Sequence, residues 1–219
     1  MADIPHDWNL PPQEAVALQK RLASYVDAQT PLEIDSLRTV AGVDVSVKNG
    51  ISRAAVVVMA FPSLEIIETA TAAVPTPFPY ISGLLSFREG AVILQAIEQI
   101  TQKPDVYLFD GQGLIHPRRL GIACHIGLWL DAPTIGIGKT HYIGEYDQPS
   151  EEKGEFSEIV HRDEVIGVLL RTRAQVKPVY VSVGHRATLD TARQLALRCS
   201  TRYRLPEPIR AAHISAGDF

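Results

Sequence analysis

The chain has 219 residues, 46% of them apolar, and a net charge of −4, enough for one substantial core and so for a single domain over 1–219. That charge argues against coating nucleic acid by bulk electrostatics, and no apolar run approaches the ~18 residues of a membrane span. Cys124 and Cys199, the two cysteines, have no metal-ligand spacing, which excludes a disulfide framework and a structural zinc site.

In chain order, the polar start MADIPHDWNL lacks the basic and apolar regions of a signal peptide, so a soluble cytoplasmic protein with reduced thiols is expected. Residues 12–28 read as an amphipathic helix with Ala15, Leu18, Leu22 and Tyr25 on one face. Three strands follow, about 39–48, 53–60 and 64–73, and Asn49-Gly50 between the first two is a hairpin signal for an antiparallel meander. Pro75, Pro77 and Pro79 stiffen a loop, and a helix runs from near Ser86 to about Gln102. A strand ending in Asp110, a helix to about Leu130 and a strand over 133–137 come next. Strands near 157–161, 165–170 and 178–183 precede a last helix over roughly 188–200, capped by Thr188.

Two acids stand where buried strands should be apolar. Asp110 ends the run Val106-Tyr-Leu-Phe109 and is followed by Gly111-Gln-Gly113. Asp44 lies between Val43 and Val45 and so points to the opposite face from both. The plain alternative for Asp110 is a turn-forming Asp-Gly pair, and for Glu89 a capping box with Ser86. A meander followed by alternating helices and strands suggests an α/β, ribonuclease H-like mixed sheet, antiparallel on one side and parallel on the other. Its first and fourth strands lie side by side, which would bring Asp44 and Asp110 together.

Asp44, Asp110 and Glu89 would then form an all-oxygen site suited to Mg²⁺, with Mn²⁺ as a substitute. Such a site fits phosphodiester hydrolysis. Lys139 adds a positive group for transition-state charge, and the histidines add candidate bases, although any one histidine can equally be structural. Between Arg171 and Arg210 nine basic residues face only Asp190 and Glu207. That excess could follow a phosphate backbone, or form a solvated face.

The motifs Val43-Asp44-Val45, Pro79-Tyr-Ile-Ser-Gly-Leu-Leu-Ser-Phe-Arg-Glu89, Asp110-Gly-Gln-Gly-Leu-Ile-His116-Pro-Arg-Arg-Leu-Gly121, Gly136-Ile-Gly-Lys139 and Pro206-Glu-Pro-Ile-Arg210-Ala-Ala-His213 resemble endonuclease V from about residue 10 to 215. The resemblance implies a metal-dependent repair endonuclease that recognises deoxyinosine and nicks the second phosphodiester bond 3′ to it, leaving 3′-hydroxyl and 5′-phosphate ends. It implies catalytic roles for Asp44, Glu89, Asp110, Lys139 and His213, with Asp44 and Asp110 as metal ligands. Tyr80 corresponds to a strand-separating wedge, with Ile81 beside it. Gly83, Leu85, Gly111, His116, Gly121 and Ile122 correspond to the pocket for a flipped base. The implied partner is DNA carrying deoxyinosine or another deaminated base, then inosine-containing RNA; no membrane is implied, and the chain acts as a monomer.

Two positions depart from the family pattern: Ser82 stands where the wedge loop usually has a second proline, and Val183 precedes Gly184-His185 in place of proline. Another ribonuclease H-like nuclease would share the acids but lack the Tyr80 wedge. A nucleic-acid-binding module gains nothing from carboxylates near phosphates. A glycosidase would want more aromatic residues than 7%.

Overall fold

The computed structural model describes residues 4–217. Its helices are α1 (Pro12–Leu22), α2 (Leu85–Ile97), α3 (Ile122–Leu130), α4 (Leu189–Arg198) and α5 (Glu207–Gly217). Its strands are β1 (Thr39–Lys48), β2 (Ile51–Ala60), β3 (Ile66–Pro75), β4 (Val106–Asp110), β5 (Thr134–Gly138), β6 (Phe156–His161), β7 (Glu164–Leu170) and β8 (Val179–His185). One sheet holds all eight in the order β3-β2-β1-β4-β5-β8-β7-β6. The meander is antiparallel as expected, and β1 and β4 are parallel neighbours with Val43 opposite Phe109. Asp44 and Asp110 are thus the next residues on adjacent strands.

Strand parity divides the core. Val40, Val106, Leu108, Ile135 and Ile137 pack beneath α4 and α5, together with Leu195, Ile209 and Ala212. Ala41, Val43, Tyr107 and Phe109 pack on the other side with Val92 and Ile93 of α2 and Ile126 of α3. Helix α1 forms a third layer, burying Ala15, Leu18 and Leu22 against Phe87, Leu120 and Leu128. Asp44 and Asp110 share the parity of the α4/α5 side. They lie toward the carboxyl ends of parallel strands, where open α/β sheets bind ligands.

The expected parallel part holds for β1, β4 and β5 and is corrected beyond them: β8 runs antiparallel to β5, and β7 and β6 continue antiparallel. A parallel pair needs a long crossover, usually helical, and no helix lies between β5 and β8. Helix α1 also stops short of residue 28. The Asp27 carboxylate accepts from the Gln29 and Thr30 backbone N–H groups, a local turn that competes with the helix, and Tyr25 is left 48% exposed. Helix α2 ends at Ile97 rather than near 102.

Helix α5 lies outside the expected helices. Pro208 sits in its first turn, where a missing N–H costs nothing. Its close approach depends on Gly42 of β1, because a Cβ there would lie 1.9 Å from the Pro208 carbonyl oxygen.

Candidate active site

At the carboxyl ends of β1 and β4, Asp44, Asp110 and His213 each offer a ligand atom within 4.8 Å of the others. His213 comes from α5, and its Nδ1 lies 2.6 Å from Asp44 Oδ2. The other Asp44 oxygen accepts from the Val45 N–H at 2.8 Å. Lys139, just past β5, is ion-paired with Asp110. Burial and then the Asp44 charge push the Asp110 carboxyl up, against the pull of Lys139.

Glu89 is not in that tight set. It reaches the acids from α2 on the opposite side of the sheet, and its carboxyl is pushed up to about 8 by burial first and Asp44 second, opposed by Arg88, with Asp110 adding to the rise. The capping-box explanation for Glu89 is overturned. Leu84 is the N-cap and no side chain caps α2, because the Ser86 hydroxyl bonds His125 Nδ1 at 2.8 Å instead. Glu89 is left facing carboxylates without a local structural partner to account for it.

Beside the acids opens a cavity of about 370 Å³, bounded by Asp110 and Lys139 on one side and Tyr80 on another. The six residues expected to shape a base pocket border it, Gly83, Leu85, Gly111, His116, Gly121 and Ile122, and so do Tyr80 and Ile81. Tyr80 is 70% exposed, with the Arg88 guanidinium 5.8 Å from its ring centre.

The loop behind Tyr80 is fixed at one atom. The Gly83 carbonyl accepts from Gln19 Nε2 at 2.9 Å, Arg118 Nη2 at 2.7 Å and His116 Nε2 at 3.1 Å. Gly83 has φ +81°, and a Cβ would lie 2.5 Å from Arg118 Nη2, so glycine is needed there. Where the family pattern has proline, the Ser82 hydroxyl meets the Tyr142 hydroxyl at 3.3 Å. His116 is spent on this framework. Burial, with Arg118 next, pushes it down to about 4, and its Nδ1 accepts from the Arg118 N–H at 3.2 Å. It is a neutral ring with both nitrogens engaged.

Most arginines of the 171–210 stretch do not form a free phosphate track. Arg171 is buried on the carbonyls of Pro149, Ser150 and Val176. Arg193 pairs with Asp190 and lies over Phe156; Arg198 pairs with Asp35 and lies over Phe61. Arg204 ties the Lys139 and Pro178 carbonyls together at 2.8 Å each. His185 is structural, accepting from the Asp27 N–H at 3.0 Å and facing Asp131.

Among the cavity residues that escaped the sequence reading are Gln19, Ser86, Gln112 and Tyr142. Gln19 carried a usable signal, since it falls at i+4 from Ala15 on a face that is otherwise apolar and is 1% exposed. Gln112 Oε1 is buried without a hydrogen-bond partner, a property visible only in three dimensions.

The family model for endonuclease V matches residues 20–214. The endonuclease V of Trichormus variabilis is 49% identical over 210 residues, 95% of each chain. That of Methanothrix thermoacetophila is 48% identical over 95% of this chain and 92% of its own. The crystal structure of the Streptomyces avermitilis endonuclease V superposes with a TM-score of 0.92 at 36% identity, covering 97% of this chain and 94% of that one. A Ciona intestinalis endonuclease V, solved in complex with a 23mer DNA containing an inosine followed by a ribo-adenosine, gives a TM-score of 0.84 at 26% identity over 94% of this chain and 97% of that one. With its acids gathered at the carboxyl ends of two adjacent strands beside a cavity, and with likeness along almost its whole length, the chain belongs to the endonuclease V family.

Proposed function

We propose that this protein recognises deoxyinosine in DNA and hydrolyses the second phosphodiester bond 3′ to it, leaving 3′-hydroxyl and 5′-phosphate ends. The observation that carries this reading is the cavity of about 370 Å³ running from the exposed Tyr80 ring to Asp110 and Lys139. An enzyme that must read one base in a duplex takes it out of the stack and holds it in a pocket. An aromatic wedge at the mouth fills the gap left behind. The inosine-containing DNA held by the Ciona relative supports the same substrate.

The donor set fits a hard divalent cation. Asp44 and Asp110 would hold Mg²⁺ or Mn²⁺, with Glu89 as the further carboxylate. A positive charge beside the two aspartates would oppose the aspartate charges that, after burial, push the Glu89 carboxyl up. Bound there, the ion supplies Lewis-acid stabilisation of charge on the phosphate oxygens.

The chain supplies the rest. Because Asp44 accepts from His213 Nδ1, the Nε2 of a neutral His213 is bare and can take a proton from water. The Lys139 ammonium stands at the cavity rim, where it can meet charge developing on a phosphate. Arg204 steadies the Lys139 backbone. Every group named belongs to one chain, so a monomer suffices. Inosine-containing RNA presents the same base edge and is the second substrate of this reading. Buried, unpaired Cys124 and Cys199 suit a reducing cytoplasm.

Labelled duplexes with and without one deoxyinosine, incubated with Mg²⁺ or EDTA, test the proposal. A nick at the second bond 3′ to the lesion, with Mg²⁺ only, is expected. Equal cutting of both duplexes would indicate a general nuclease, and binding without cutting a binding module; either result refutes the proposal.

A further inference from the structure

A chain of hydrogen bonds leads from the cavity to the surface through residues that the proposed hydrolysis does not use. Ser86, in the first turn of α2, borders the cavity. Its Oγ lies 2.8 Å from Nδ1 of His125, whose Nε2 lies 2.8 Å from Nε2 of His6. His6 Nδ1 lies 2.8 Å from the Asp7 carbonyl oxygen. Trp8 and Trp129 enclose the outer ring, with centroids 4.6 and 5.1 Å from that of His6.

Only one proton arrangement satisfies these contacts. A carbonyl only accepts, so His6 Nδ1 carries the hydrogen. The arrangement follows with both rings neutral, the form that burial favours by lowering the proton affinity of His6 and pushing His125 down to about 3. His6 Nε2 is therefore bare, and His125 Nε2 must donate to it. That leaves His125 Nδ1 bare, and the Ser86 hydroxyl must donate to it. With its one proton committed inward, Ser86 Oγ can offer the cavity lone pairs only.

We propose that this relay makes Ser86 Oγ a fixed hydrogen-bond acceptor that reads the N1–H of hypoxanthine. The inference rests on the deoxyinosine reading above. Hypoxanthine has a donor at N1 and an acceptor at O6, whereas adenine has a lone pair at N1 and a donor at N6. Ser86 Oγ attracts the first and repels the second. The first turn of α2 has no side-chain cap, and a helix start of this kind favours an acceptor such as O6 nearby. Guanine shares N1–H and O6, so this contact separates hypoxanthine from adenine and not from guanine. Serine is a positioning and specificity residue here, and the histidines set its polarity.

The test measures binding of duplexes carrying deoxyinosine or purine deoxyriboside, whose base has a bare N1 and no O6. Ca²⁺ is used to permit binding without turnover. Ser86→Ala should weaken deoxyinosine binding about tenfold, the worth of one well-made buried hydrogen bond, and leave purine deoxyriboside binding within about twofold. Equal loss on both bases by an otherwise selective protein would overturn the role of Ser86 alone. Wild-type protein that fails to distinguish deoxyinosine from undamaged duplex would overturn the deoxyinosine reading and this inference with it. Because Ser86→Ala also strips His125 of a partner, the unaltered protein supplies a second measurement. Long-range ¹H–¹⁵N correlation should show His125 as the Nε2–H tautomer, and an Nδ1–H tautomer would overturn the relay.

Discussion

Replacing Glu89 with glutamine in the metal-free protein should remove a loss of stability that the wild type suffers as pH rises. The Glu89 carboxyl is raised from the ordinary 4.5 to about 8, by burial and then by Asp44. The folded chain therefore holds this proton more tightly than the unfolded chain does. Its contribution to stability is complete below about pH 4.5 and is lost as pH climbs toward 8. At about 1.4 kcal/mol for each tenfold in proton affinity, the full difference is about 5 kcal/mol. Glu89 is only partly buried, and allowance for solvent screening leaves roughly 2–3 kcal/mol. Urea unfolding in EDTA, at about pH 5 and about pH 8.5, gives the two stabilities for each protein. The glutamine variant should gain on the wild type by that amount between the two pH values, and Mg²⁺ should restore the wild type at the higher one. A gap that is the same at both pH values would refute the placement of Glu89 among ionised aspartates.

Asp110→Asn should abolish cleavage by at least ~100-fold, the scale of losing a key charged group at a reacting centre, while leaving deoxyinosine-DNA binding measurable; single-turnover cleavage within about tenfold of wild type would sink its metal-ligand role. Tyr80→Ala should impair duplex deoxyinosine substrates more than single-stranded ones, because opening a stacked step costs roughly a few kcal/mol, and equal loss on both would remove the wedge. Gly42→Ala sets a Cβ 1.9 Å from the Pro208 carbonyl oxygen; the overpacking should cost about 1–3 kcal/mol in denaturant unfolding and lower cleavage by displacing His213 from Asp44. Unchanged stability and activity would show that α5 does not depend on that approach.

Much of the site was legible because it follows from strand order. Two apolar runs ending in acids, one opening a meander and the other following a helix, are enough to set Asp44 beside Asp110. The segments that border the cavity were legible as contiguous motifs. His213 was named only through resemblance, since its approach to Asp44 depends on Gly42 admitting the backbone of a helix that Pro206 and Pro208 disguise. The Ser86–Glu89 spacing misled for a physical reason: a serine hydroxyl has one proton, and a buried histidine 39 residues further along the chain, outside any local window, claims it. The basic stretch misled in a similar way, since Arg171 and Arg204 serve backbone carbonyls that no charge pattern can foretell.

The convergence of three donors on the Gly83 carbonyl has a mechanical consequence. They come from α1 and from two positions in the turn before α3, so the loop turns about a fulcrum held from two directions. Tyr80 extends three residues to one side of it, and the first turn of α2 stands directly on the other. Under the function proposed above, displacement of the tip would leave the wall of the cavity in place, because α1, through Gln19, holds the segment between them.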